Sequence, residues 1–129
     1  MDVLFLLGRI LFGGFWVYNG ISHLTQHRAM ARYAASQGVP APVLAVLATG
    51  LLLLAGGGLV ILGAWPRVGL VLLIVFLLGV TPRMHAYWKV QDPAARMAEM
   101  VNFTKNLALL GACVMLLMLA EPWPMSLAP

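Results

Sequence analysis

The sequence predicts an all-α integral membrane protein, a four-helix bundle formed as one domain over residues 1–129, and three observations carry that prediction. Only 9% of its residues are charged, against about 25% in a soluble domain, so a water-exposed surface cannot be built from this set. Hydrophobic residues make up 62% of the chain and the mean hydropathy is +0.93. At about 20 residues per span, the length holds four membrane helices with short connections. The third observation is where the polar residues fall. The net charge is +4, but the basic residues sit mostly in two loops, as membrane topology requires, and not on one face fit for nucleic acid. Nucleic-acid binding is thereby excluded, and the lipid bilayer is the expected surrounding.

Span one is expected over about 3–22. Asp2 stands where a cleaved signal would carry a basic leader, and no small-residue cleavage site follows promptly, so this span is read as retained. Arg9 lies about 9 Å along its axis at 1.5 Å per residue. Snorkelling to the near interface, or pairing with Asp2, is favoured over burial for so long a basic side chain. Farther on, Phe12, Trp16, Asn19, His23 and His27 recur at spacings of three and four and form one stripe. Tyr18 and Trp16 suit an aromatic belt, while Asn19 and His23 are two polar groups facing one way near a membrane boundary. His23 and His27 have the i, i+4 spacing of metal ligands, but with no third ligand nearby, solvated loop histidines are favoured and no metal site is assigned.

The first connection, about 24–42, contains R-A-M-A-R-Y-A-A, a candidate interfacial helix broken by Gly38 and stopped by Pro40 and Pro42. Span two, about 43–64, is uninterrupted, and its glycines 56, 57 and 58 point to close backbone packing. The Trp65-Pro66-Arg67 turn is short enough to set spans two and three antiparallel. Span three is expected over about 68–88 and span four over about 102–120. The apolar run of span three stops near Val80 and that of span four starts only at Leu107, so each must draw on polar residues to cross a core about 30 Å thick. One polar interval joins these two deficient ends. Within it, Asp92 and Pro93 read as an N-cap carboxylate with proline at the first helical position, and Arg96 and Glu99 can pair one turn apart. The far end of span one lies on the same side. Tyr18, Asn19, His23, Arg83, His85, Asn102, Lys105 and Asn106 are therefore expected to converge on one half of the bundle as a ligand site. Intramembrane polar residues of this kind are costly and mark function or structural anchoring.

Orientation follows from the basic residues. Arg28, Arg32, Arg83, Lys89, Arg96 and Lys105 fall on the side of the first and third loops, Arg9 and Arg67 on the other. This bias predicts cytoplasmic loops one and three, with both termini outside. The single cysteine, Cys113, lies in an apolar run, which excludes an internal disulfide or a self-contained thiol relay.

The segments G-R-I-L-F-G-G-F-W-V-Y-N-G-I-S-H-L, G-G-G-L-V-I-L-G-A-W-P-R, M-H-A-Y-W-K-V-Q-D-P and N-F-T-K-N-L-A-L-L-G-A resemble the DoxX family of small bacterial membrane proteins. The resemblance implies four membrane helices in the bacterial inner membrane and a link to redox chemistry. One branch is similar to the small subunit of a thiosulfate:quinone oxidoreductase. Another is associated with a membrane oxidoreductase complex that brings together superoxide dismutase and a sulfurtransferase. The family pattern falls on Arg9, Gly14, Gly20, His85, Trp88, Asp92, Pro93, Phe103, Lys105 and Asn106, with Arg9, Trp88, Asp92 and Pro93 read as structural or interface positions. Two positions depart from it: His23 stands where a lysine is common, and Leu53 where a glutamate is common.

Three functions compete. In the first, the chain is the membrane subunit of an oxidoreductase complex, its polar half-bundle holding a quinone head or a small sulfur species. Lys105 would then supply charge, His85 a proton donor or acceptor, and Asn19 and Asn106 hydrogen bonds. No spacing for flavin, haem or iron–sulfur is present, so electrons would come from a soluble or membrane-bound oxidoreductase partner. In the second, the chain is a non-catalytic scaffold whose polar residues pin helices and whose basic loops dock a partner. In the third, it binds or carries a small hydrophobic molecule. Scaffold or partner subunit is weighed above self-sufficient enzyme, and oligomerisation is left open.

Overall fold

The structure, a computed structural model, describes residues 1–127. Its elements run α1 (Asp2–Thr25), α2 (His27–Ser36), α3 (Pro42–Leu62), α4 (Pro66–Met84), a 3-10 turn (Tyr87–Lys89) and α5 (Pro93–Leu117). Four of these are long and apolar enough to cross a membrane, and no strand occurs among the described residues. The chain is an all-α, multi-pass membrane bundle.

Proline starts three of the helices. Pro42, Pro66 and Pro93 each stand in the first turn, where a missing N–H leaves no hydrogen bond unmade. At α5 the Asp92 carboxylate accepts from the Ala95 backbone N–H at 2.9 Å, the N-cap the sequence predicts. The helix begun there runs on without a break into the span expected only from about residue 102, so α5 is a single helix of 25 residues. The first connection forms α2, an amphipathic helix with Ala31 and Ala34 buried against Val46 of α3, while Arg28 and Arg32 stay exposed.

Close backbone approach joins α1 to α3. A Cβ placed on Gly13 would come within 2.7 Å of the Gly57 carbonyl oxygen, and one on Gly20 within 2.8 Å of that of Gly50. These pairs, seven residues apart on antiparallel helices, let dispersion contacts form where any larger side chain would hold the helices apart. Behind them lies a core of Trp16, Leu53, Val60, Leu70, Leu73, Leu77 and Cys113. The fourth helix is held differently. Only Asn106 and Cys113 of α5 are buried, and it rests on α4 and the 3-10 turn. There Tyr87, Trp88 and Phe103 pack edge to face, with ring centroids 5.4 to 5.6 Å apart.

At the end of the bundle formed by the α1 N-terminus and the α3–α4 turn, Arg9 corrects the sequence-based expectation. It neither snorkels nor pairs with Asp2, but is 3% exposed. Its guanidinium donates to the carbonyls of Val60 (3.3 Å) and Ile61 (2.7 Å), and to those of Pro124 and Met125 in the segment after α5. Two of these carbonyls lie at the C-terminus of α3, where a helix leaves acceptors unsatisfied and a cation is favoured. Gly63 caps that helix at φ 70° with Ser126 packed against it, and Trp123 is buried edge to face on Phe5 at 5.3 Å. A basic side chain lowers its burial cost when carbonyls take its donors, and the four carbonyls do so here.

Candidate functional site

The opposite half of the bundle encloses a cavity of about 660 Å3, within the range of small-molecule sites. Its deep walls are apolar, from Phe15 and Trp16 on α1, Leu52 and Leu53 on α3, and Val75 and Phe76 on α4. Toward the α2 end the lining turns polar, with Asn19, His23, Thr49, Arg83, His85, Lys105 and Asn106, and α2 closes it with Met30, Tyr33 and Ala34. The two short apolar runs of α4 and α5 place this polarity: each carries its polar turns at this one end.

Of the eight residues expected to converge, six line the cavity: Asn19, His23, Arg83, His85, Lys105 and Asn106. Tyr18 does not. It is 71% exposed, because two residues beyond Trp16 is about 200° around a helix of 3.6 residues per turn. Asn102, one turn before Asn106 on α5, also lies outside the lining.

The neutral polar groups largely serve one another. Asn106 donates to the Thr81 hydroxyl oxygen at 3.1 Å, both buried, a buried polar tie between α5 and α4. Asn19 donates to the Phe15 carbonyl at 2.7 Å. Thr49 donates to the Ala45 carbonyl at 2.7 Å, so its oxygen is left to accept from His23 Nδ1 at 3.1 Å, with the Val46 carbonyl at 3.2 Å. That arrangement places the neutral ring's proton on Nδ1 and leaves Nε2 as its acceptor.

Glu99 is the residue that sequence reasoning misplaced. It does not pair with Arg96, whose guanidinium instead lies 5.9 Å from the Tyr87 ring centroid. Its carboxylate accepts from His85 Nδ1 at 2.7 Å and from the Tyr33 hydroxyl at 3.2 Å. The three residues tie α2, α5 and the end of α4 together at the cavity mouth. Burial pushes the Tyr33 phenol above its ordinary pKa, and the Glu99 charge and hydrogen bond add to the shift. The only sequence signal for this cluster was an acid beside an unpaired histidine in the same polar interval.

Arg83 and Lys105 stand apart. Among the described residues neither has a hydrogen-bond or carboxylate partner, and Lys105 Nζ sits 5.7 Å from the Phe15 ring centroid. His27 turns back to the Leu24 carbonyl at 2.9 Å, and no group of three metal-ligating side chains occurs among the described residues.

A small helical membrane protein with an internal cavity, apolar at depth and polar at its mouth, is the class these features define. Residues 4–86 match the DoxX family model. The chain is also 31% identical over 114 residues to the inner membrane protein YphA of Escherichia coli K12, covering 88% of this chain and 81% of that protein. This chain belongs to the DoxX family. No solved structure matches it significantly.

Proposed function

We propose that the chain is the membrane subunit of an oxidoreductase system of the inner membrane, and that its cavity binds a small amphiphile with a quinone-like head. The observation that supports this reading is the cavity itself: apolar walls at mid-membrane depth for a tail or ring, and polar groups from α1, α3, α4 and α5 at one end for a head. Its volume suits one such molecule. In this reading Lys105 and Arg83 donate to the head's oxygens, His85 holds or releases a proton at its ring nitrogen, and Phe15, Trp16 and Phe76 exclude water. A quinone, when bound, would supply two-electron redox chemistry, with electrons delivered by a partner.

Trp16 lines the cavity, so its fluorescence is the direct probe. Decylubiquinone should quench it saturably, and Trp16→Phe should abolish the saturable part. Non-saturable quenching alone, equal in both proteins, would remove the binding site. A second reading, the scaffold, is favoured by the neutral polar groups that already satisfy one another. It predicts that Lys105→Met assembles with its partner and supports activity like the wild type, whereas the binding reading predicts normal insertion with activity lost. The orientation proposed is both termini outside, tested by fusions after Pro129: a periplasmic reporter active there and a cytoplasmic one silent. The reverse pattern would invert the topology.

A further inference from the structure

We propose that the ligand of this cavity is an amphiphile whose head carries a negative charge, gripped by Lys105 and Arg83; the inference rests on the cavity reading above and deepens it. The chain has four acidic residues, and none lines the cavity. Asp2 lies in the first turn of α1, Asp92 caps α5, and Glu121 faces the Arg67 backbone N–H at 3.4 Å. Glu99 is engaged by His85 and Tyr33. Arg83 and Lys105 thus bring two cations to an apolar cavity that offers no carboxylate to either. The contrast with Arg9 is informative, since that buried cation is fully wrapped by carbonyls.

The donors tell the same story. The Asn19 and Asn106 amides each already spend one N–H within the chain, and His23 and His85 each spend Nδ1. The charged donors left without a partner among the described residues are the guanidinium and the ammonium, and both are complementary to an acceptor-only, charged head such as a carboxylate. Both side chains are exposed where they line the cavity, so such a pairing is a charge-assisted contact at its rim and not the rescue of a buried cation. The tail has a route as well. Helix α5 packs on α4 and the 3-10 turn rather than on α1, and Lys105 lies over Phe15 in the gap between α5 and α1. A single chain leaving the head would pass into the bilayer along that seam.

The test uses the full chain in phosphatidylcholine nanodiscs, titrated with hexadecanoate, hexadecanol or decylubiquinone, with Trp16 fluorescence as readout and Trp16→Phe as blank. Hexadecanoate should bind about tenfold more tightly than hexadecanol, the worth of one charge-assisted contact over a neutral one. Lys105→Met and Arg83→Gln should each shrink that ratio toward one, and Lys105→Arg should keep it, which guards against a variant that merely folds badly. An acid that binds no more tightly than the alcohol overturns the charged-head inference. So does a preference that survives loss of both cations, since the bilayer surface would then be its source. If the alcohol and the quinone bind saturably while the acid gains nothing, the amphiphile cavity stands and only the charge is wrong. If none of the three binds, both readings fall.

Discussion

The two ends of this bundle each contain cations in a chain with little charge, and they use them in opposite ways. At the closed end Arg9 is 3% exposed, and four backbone carbonyls from α3 and the segment after α5 accept from it. At the open end Lys105 and Arg83 line a cavity, are exposed, and have no such partners among the described residues. A polar group whose hydrogen bonds are all made is a fastener, whereas one whose hydrogen bonds are left over is available to something else. Burial alone would have ranked Arg9 as the functional residue, and the accounting of partners reverses that order.

The largest expected effect tests the fastener. Arg9→Met keeps the apolar length of the side chain but strands the carbonyls of Val60, Ile61, Pro124 and Met125. Leaving several buried acceptors unmade should cost about 2–4 kcal/mol, read as a lowered thermal unfolding midpoint in detergent and faster proteolysis of the segment after α5. Lys105→Met should leave both measurements nearly unchanged, since Lys105 is exposed and makes no hydrogen bond whose loss would strand a partner. Equal stability for Arg9→Met and the wild type would break the distinction between the two ends.

The sequence showed the open end more readily than the closed one, for a physical reason. Lys105 and His85 interrupt apolar runs that are too short to span, and a deficit in hydropathy is visible in one dimension. Arg9 interrupts a run just as plainly, but its partners are backbone carbonyls, which every residue has and no side-chain pattern announces. Helix spacing offers Glu99 only neighbours on its own helix, such as Arg96, whereas its actual partners, Tyr33 and His85, come from α2 and the end of α4. Tyr18 was grouped with Asn19 by depth in the membrane, although the 3.6-residue period already places it on the other face. The close pairs Gly13–Gly57 and Gly20–Gly50 were half visible: the glycines of span two signalled close packing, but not which helix approached.

A smaller effect sharpens the open end. Tyr33 is held above the ordinary tyrosine pKa of about 10 by burial first, then by the charge and hydrogen bond of Glu99. Glu99→Gln keeps an acceptor for the hydroxyl and removes the charge, so the phenol should move down toward its ordinary value while burial keeps it from arriving. The sign is fixed: a phenol raised on folding contributes stability that is whole below its unfolded pKa and is lost as pH rises through the folded one. Phenolate absorbance, titrated in a Tyr18→Phe, Tyr87→Phe background, reads it directly. An unchanged titration would mean that Glu99 and Tyr33 are not joined at the cavity mouth.

The smallest effect lies between the two ends, on the helix that joins them. Cys113 is fully buried, and with Asn106 it is one of the two residues by which α5 is sunk into the bundle. They lie seven residues apart, two turns on one face, the upper a hydrogen bond to Thr81 and the lower a packing contact. The thiol is the chain's only one and has no second thiol to pair with, so its contribution is that of a small apolar side chain. Cys113→Ala removes a single heavy atom from a core of leucines and should lower stability by about 1 kcal/mol. Amphiphile binding should be unaffected, because Cys113 does not line the cavity and lies two turns along α5 from Asn106, which does. Cys113→Ser has nearly the same volume but buries a hydroxyl, and should cost more than the alanine unless that hydroxyl donates to a carbonyl one turn back. Unfolding midpoints for the two variants therefore rank packing against polarity on α5. Loss of binding in Cys113→Ala at normal expression would instead show that the thiol reaches the site, and would dissolve the division between a helix that is merely held and an end that is left free to bind.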